Sequence, residues 1–178
     1  MIDDRPVAET LASYLVDPDG IALPELSSAE DAASHTIALY EQSGRTGATF
    51  SLRFGDMSGQ PLYSVSLWPE CEEKFTGVLS SRILQVFITQ NLHLLDDPRC
   101  GVGLWYNAED NVAYRDIVAI LSDRQEAIDL AIRYSQIAIF DLQTLTEIEI
   151  GGSGNISVEL PPIVERLPKV NLQEEEKP

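Results

Sequence analysis

The chain has 178 residues, 44% of them hydrophobic, which is enough for one domain with a sizeable core and a tail. Its 29 acidic and 12 basic side chains give a net charge of -17 at pH 7. Phosphate backbones and anionic bilayers require clustered Lys and Arg, and the sequence offers no such cluster, so direct binding to nucleic acid or to a membrane surface is not expected.

The acidic start, MIDDRPVAET, differs from the basic and then apolar pattern of a signal peptide, and no apolar run reaches the length of a membrane span. The two cysteines, Cys71 and Cys100, form no CxxC pair. Together these features predict a cytoplasmic protein with free thiols.

In chain order, residues 1–26 read as an irregular acidic segment with a short helix over 6–16, stopped by the DPDG at 17–20. A helix follows from Ser27 or Ser28, with Ser27 and Glu30 spaced as a capping box. Ala33, Ile37 and Tyr40 form its apolar stripe, and Gly44 ends it. Residues 48–54 alternate strictly, Ala48, Phe50, Leu52 and Phe54 against Thr49, Ser51 and Arg53. Residues 62–68 do the same, with Tyr63, Val65 and Leu67 opposed to Ser64, Ser66 and Trp68. A period of two with one polar side predicts a half-buried antiparallel pair. The loop between them is long for a tight turn and is expected to be mobile. Residues 79–95 read as a single core helix with Leu84, Phe87, Ile88, Asn91 and Leu95 on one face.

The best-defined stretch is 101–142. It predicts a hairpin of strands 101–106 and 112–121, a helix capped by Ser122 or Asp123 with Ala127, Leu130, Ala131 and Tyr134 inward, and a strand over 137–142. One hairpin face is expected to present Val102, Leu104, Tyr106, Tyr114 and Val118, the other Gly103, Trp105, Arg115 and Ile117. A short edge strand is expected over 146–150. The element order is then αββ-αββ-αβ: an α+β, two-layer fold, with a mainly antiparallel sheet and its helices on one face. Residues 27–150 form the single domain; 151–178 read as a flexible Gly-rich linker and a Pro-rich acidic tail. At the level of element order this is similar to cystatin-like folds.

Trp105-Tyr106-Asn107, Tyr114 and Asp116, Asp123-Arg124 with Glu126-Ala127, and the run from Gln136 to Asp141 give the chain a local signature. It resembles a segment of uncharacterised bacterial proteins, cyanobacterial and phage-borne ones among them. The resemblance implies no assigned activity.

No motif for catalysis, metal or cofactor binding is present. The GGSG at 151–154 leads into no helix and carries no lysine, so it is not a phosphate loop. His35 and His93 stand alone, and a Cys–His pair of Cys100 or Cys71 with His93 has no local geometry in its favour. Two groups of residues remain. On the open sheet face, Arg53, Trp68, Trp105 and Arg115 combine the residue types most used in protein contacts, predicting a non-enzymatic domain that binds a protein partner or a second copy of itself. Asp116, on an apolar-patterned strand, with Tyr114 and Arg124 predicts the alternative, a small-molecule pocket or enzyme site between sheet and helices. An acidic inhibitor that mimics nucleic-acid charge is the third reading.

Overall fold

The computed structural model describes residues 6–156 and 159–169. Helix α1 (Val7–Val16) is followed by α2 (Ala29–Gln42), whose first turn is capped by Ser28 accepting from the Asp31 N–H at 3.1 Å. Serine thus caps one residue later than the Ser27–Glu30 spacing predicted, with Asp31 returning the contact. Strands β1 (Gly47–Ser51), β2 (Gly55–Asp56) and β3 (Tyr63–Ser66) come next, then β4 (Glu73–Phe75). The predicted single helix over 79–95 divides into α3 (Ser81–Gln90) and α4 (Leu92–Leu95). The break falls at Asn91, whose buried side-chain amide donates back to the Phe87 carbonyl at 2.8 Å and competes with the helical ladder. The hairpin β5 (Cys100–Asn107) and β6 (Val112–Leu121), α5 (Arg124–Arg133), β7 (Ala138–Asp141) and β8 (Thr146–Glu149) complete the elements. The fold is α+β with an antiparallel sheet, and β2, β4 and the α3–α4 division are additions to the expected order.

The sheet runs β2-β1-β5-β6-β3-β7-β8, with β4 beside the N-terminal half of β6. It curls strongly. Three strands separate β5 from β8, so a flat sheet would hold them roughly 19 Å apart. Yet Trp105 of β5 donates its indole N–H to the Glu147 carboxylate of β8 at 2.5 Å. β5 and β8 are therefore drawn together over a concave face.

Helices α2, α3 and α5 cover the convex face. There Phe50, Val65, Val102, Leu104, Ile117 and Ile139 meet Ala33, Leu84, Phe87, Ile88 and Ala131 in the main core. The concave face was expected to be open, but α1 closes one end of it. Leu11 packs with Met57, Leu62, Ile120 and Leu142 in a second, smaller core. The loop after β2 is built into that plug: Met57 is fully buried and donates to the Thr49 carbonyl at 3.1 Å, and Gly59 donates to the Leu142 carbonyl at 2.7 Å.

The region read as linker and tail also lies against the domain where it is described. Gly152 donates to the Gln136 carbonyl at 3.0 Å and Gly154 to the Ser135 carbonyl at 2.8 Å. A side chain at Gly152 would overlap the Ser135–Gln136 backbone, so glycine serves close approach here rather than flexibility. Farther on, Arg166 is 5% exposed. It donates to the Leu67 carbonyl (3.0 Å), the Pro161 carbonyl (3.0 Å) and the Glu70 carboxylate.

Candidate functional site

The free end of the concave face holds the site, and the hairpin register builds it. The four-residue turn 108–111 sets Asn107 opposite Val112, Trp105 opposite Tyr114 and Gly103 opposite Asp116. Directly opposed residues share a face. Hence Gly103, Trp105, Tyr114, Asp116 and Val118 all point into the concavity, while Arg115, Ile117 and Ala119 point to the helices with Val102 and Leu104. The expected face assignment for β6 is reversed.

Asp116 lies at the floor. Thr49 and Gly103 stand beside it in one cross-strand row. A Cβ on Gly103 would overlap the Asp116 carboxylate and come within 2.8 Å of Val118 Cγ1, so glycine makes the room for the acid to lie across the sheet. The next row carries Trp105 and Tyr114, with ring centroids 5.3 Å apart, and the Lys74 ammonium 5.2 Å from the Tyr114 ring centre. From β3, Ser64 and Ser66 point into the same space, as their alternation predicts. Ser66 is 8% exposed, and its hydroxyl is buried with no hydrogen-bond partner. These side chains line a cavity of about 200 Å³, walled on its far side by residues 136–140 and 153–155.

The cavity is electrostatically unbalanced. Among the described residues Glu72, Asp110, Asp116 and Glu147 line it with a single cation, Lys74. Burial pushes Asp116 up to about 7, the nearby Glu72 carboxylate adds to the rise, and the Ser66 hydroxyl opposes it without making a bond of good geometry. Asp116 retains some accessible surface, but that surface faces the cavity, and the carboxyl stays desolvated. Burial also raises Glu72, against the pull of Lys74.

The residues chosen for a protein-binding face separate. Trp105 alone lies on the concave side, half-buried at the cavity mouth. Trp68 follows the end of β3, is 0% exposed, and donates its indole N–H to the Ile163 carbonyl at 3.1 Å. Arg53 is engaged by the Asp96 carboxylate at 2.8 Å and the Pro24 carbonyl at 2.9 Å. Arg115 sits on the helix face, paired with Glu73 and 5.5 Å over the Phe87 ring. Of the pocket residues, Tyr114 and Asp116 are brought together, whereas Arg124 is exposed on the first turn of α5 and does not line the cavity.

Among the described residues no three His, Cys, Asp or Glu side chains are placed to hold a metal ion. Burial raises both thiols, Cys100 strongly, which is the reverse of nucleophile activation. His35 donates its Nδ1–H to the Asp31 carbonyl (2.8 Å) and stacks on Phe50, a structural role. Gly103, Glu72 and Lys74 also belong to the site and were not among the residues the sequence singled out for it. A glycine facing an acid across a hairpin signals a side chain lying over a strand, but it is legible only once the register is known. No helix among the described residues is long and apolar enough to cross a membrane. No family model, no curated protein and no solved structure matches the chain.

Proposed function

We propose that this chain is a small-molecule-binding protein whose ligand occupies the concave cavity over Asp116. One observation carries the reading: a desolvated carboxylate at the cavity floor stands beside a buried Ser66 hydroxyl that makes no hydrogen bond of good geometry among the described residues. Buried polar groups are ordinarily satisfied within the protein, and an unsatisfied one costs about 1–3 kcal/mol. Groups kept in that condition around a preformed cavity are suited to an external partner. The volume, about 200 Å³, exceeds the roughly 150 Å³ of an engineered cavity that takes up benzene, so a single ring with a short substituent is the matching size.

Binding to a protein partner, or self-association, draws less support. Of Arg53, Trp68, Trp105 and Arg115, three are engaged inside the fold, and Trp105 belongs to the cavity mouth.

The test is a fragment screen on the full chain by NMR, following the Trp105 indole N–H. Single-ring fragments are expected to shift that resonance saturably, and Ser66→Leu, which fills the cavity, is expected to abolish the shift. Fragments that leave the signal untouched, or that act equally on the filled variant, contradict the proposal.

A further inference from the structure

The charges around the cavity narrow the ligand class, on the assumption that the concave cavity is a binding site. Among the described residues four carboxylates and one ammonium line it. Two of the acids have protein donors: Glu147 accepts from the Trp105 indole, and Asp110 accepts from the Asn107 amide at 2.9 Å. Lys74 lies against the Tyr114 ring and acts on Glu72. Asp116 is left with a hydroxyl and a second carboxylate as its nearest electrostatic neighbours, and Arg115, the next residue, points to the opposite face of the sheet. A desolvated carboxylate without a counter-charge is unfavourable, and an opposite charge within about 4–6 Å is the strongest compensation available to it. An anionic ligand would meet three further acids at the same place. A neutral ligand would leave the imbalance as it is.

The mouth is furnished for the same kind of guest. Trp105 is half-buried beside the carboxylates, and the Tyr114 ring packed against it carries the Lys74 ammonium 5.2 Å from its centre; aromatic faces attract cations and pack against ligand rings. The Ser66 hydroxyl, buried and without a hydrogen bond of good geometry among the described residues, supplies an acceptor for a second N–H of an ammonium held at Asp116.

We propose that the ligand is a small organic cation, a single-ring amine whose ammonium pairs with the Asp116 carboxylate while its ring packs against Trp105 and Tyr114. Binding then draws Asp116 into its charged form and releases a proton from the protein. Of the charged and titratable groups around Asp116, Glu72, just before β4, raises it, and Asp116 in turn raises Cys71; Lys74 of β4, Asp110 of the hairpin turn, Tyr114 of β6 and Glu147 of β8 line the same cavity. A ring-bearing alkylamine keeps its proton below about pH 9, as a lysine does, so Asp116 controls the dependence between pH 6 and pH 8.

The experiment is calorimetric titration of the full chain with three compounds of one shape: 2-phenylethylamine, 2-phenylethanol and phenylacetate. The amine is expected to bind at least tenfold more tightly than the alcohol at pH 8, and phenylacetate most weakly. Amine affinity should rise roughly tenfold from pH 6 to pH 8, as a group titrating near 7 requires. In Asp116→Asn the amine should lose its advantage over the alcohol and its pH dependence, and a Tm equal to the parent's near pH 4 checks that the variant is folded. Alcohol or phenylacetate binding as tightly as the amine overturns the cation class and leaves the cavity as a binding site. Saturable fragments at Trp105 with no heat from the amine have the same meaning. Silence from both fragments and the three compounds overturns the site itself.

Discussion

Asp116 ties stability to pH in an unusual direction. Its carboxyl sits near 3.8 in an unfolded chain and about 7 in the fold, so between those values the folded state holds a proton that the unfolded state has lost. Stability from this group is therefore present below about pH 4 and is lost as pH rises through 7. Asp116→Asn, which keeps the shape and removes the charge, should be neutral near pH 4 and stabilising at pH 8. Three pH units correspond to about 4 kcal/mol at most, and water in the cavity reduces this to about 1–3 kcal/mol. A rise in Tm of several degrees at pH 8, shrinking toward pH 4, is the expected result of melting scans. A variant less stable than the parent at pH 8 would show that the carboxylate is satisfied after all. Gly103→Ala probes the same spot from the other strand, because its methyl would compete with Asp116 and Val118 for space. It should cost about 1–3 kcal/mol by overpacking.

Among the elements, those with strong local signals were legible in the sequence and those fixed by distant contacts were not. Alternation in 48–52 and 63–67 gave the correct inward and outward sides because each face meets one environment along its length. The caps at Ser28 and Asp123 follow from side chains able to accept an amide two or three residues on. The hairpin was placed correctly, but its β6 faces were reversed, since both sides of β6 are largely apolar and alternation cannot choose between them. The turn decides: Asn107 and Asp110 bond to each other, Tyr106 donates to Asn111 at 2.6 Å, and Asn111 takes a positive φ of 54°. The placing of Asp116 on the same face as Trp105, and with it the cavity, rests on that local geometry. The segment beyond β8 is held in the same way by contacts that composition does not reveal. Arg166, with its side chain 3% exposed, joins Leu67, Pro161 and Glu70. Arg166→Ala strands a buried carbonyl and half of a carboxylate pair. It should cost about 1–3 kcal/mol and open residues 159–169 to limited proteolysis at temperatures where the parent resists.

At the scale of the molecule, helix α1 and the described residues beyond β8 are structural parts of the sheet's surroundings. Helix α1 plugs one end of the concave face, and the segment after β8 walls the cavity through Ser153, Gly154 and Asn155, then crosses to cover Trp68. Arg99 links the two sides. It donates to the Pro168 carbonyl at 2.6 Å, pairs with Asp97, and lies 5.8 Å over the Tyr14 ring of α1. Proline and acid content made this segment read as a tail, because composition measures how little apolar surface a stretch carries on average. Here a few apolar side chains, Ile156, Leu160, Ile163 and Leu167, pack against the main core and suffice with Arg166 to hold it. Ending the chain after Ile150 separates the two descriptions. A dispensable tail would leave Trp emission and Tm unchanged. A structural strap predicts a red shift as Trp68 meets water, a Tm lower by about 5–10 °C from at least 3 kcal/mol of lost burial, and weaker fragment binding at Trp105. The last effect should exceed that of Arg166→Ala, since the shorter chain lacks the cavity wall as well as the strap that lies beyond it.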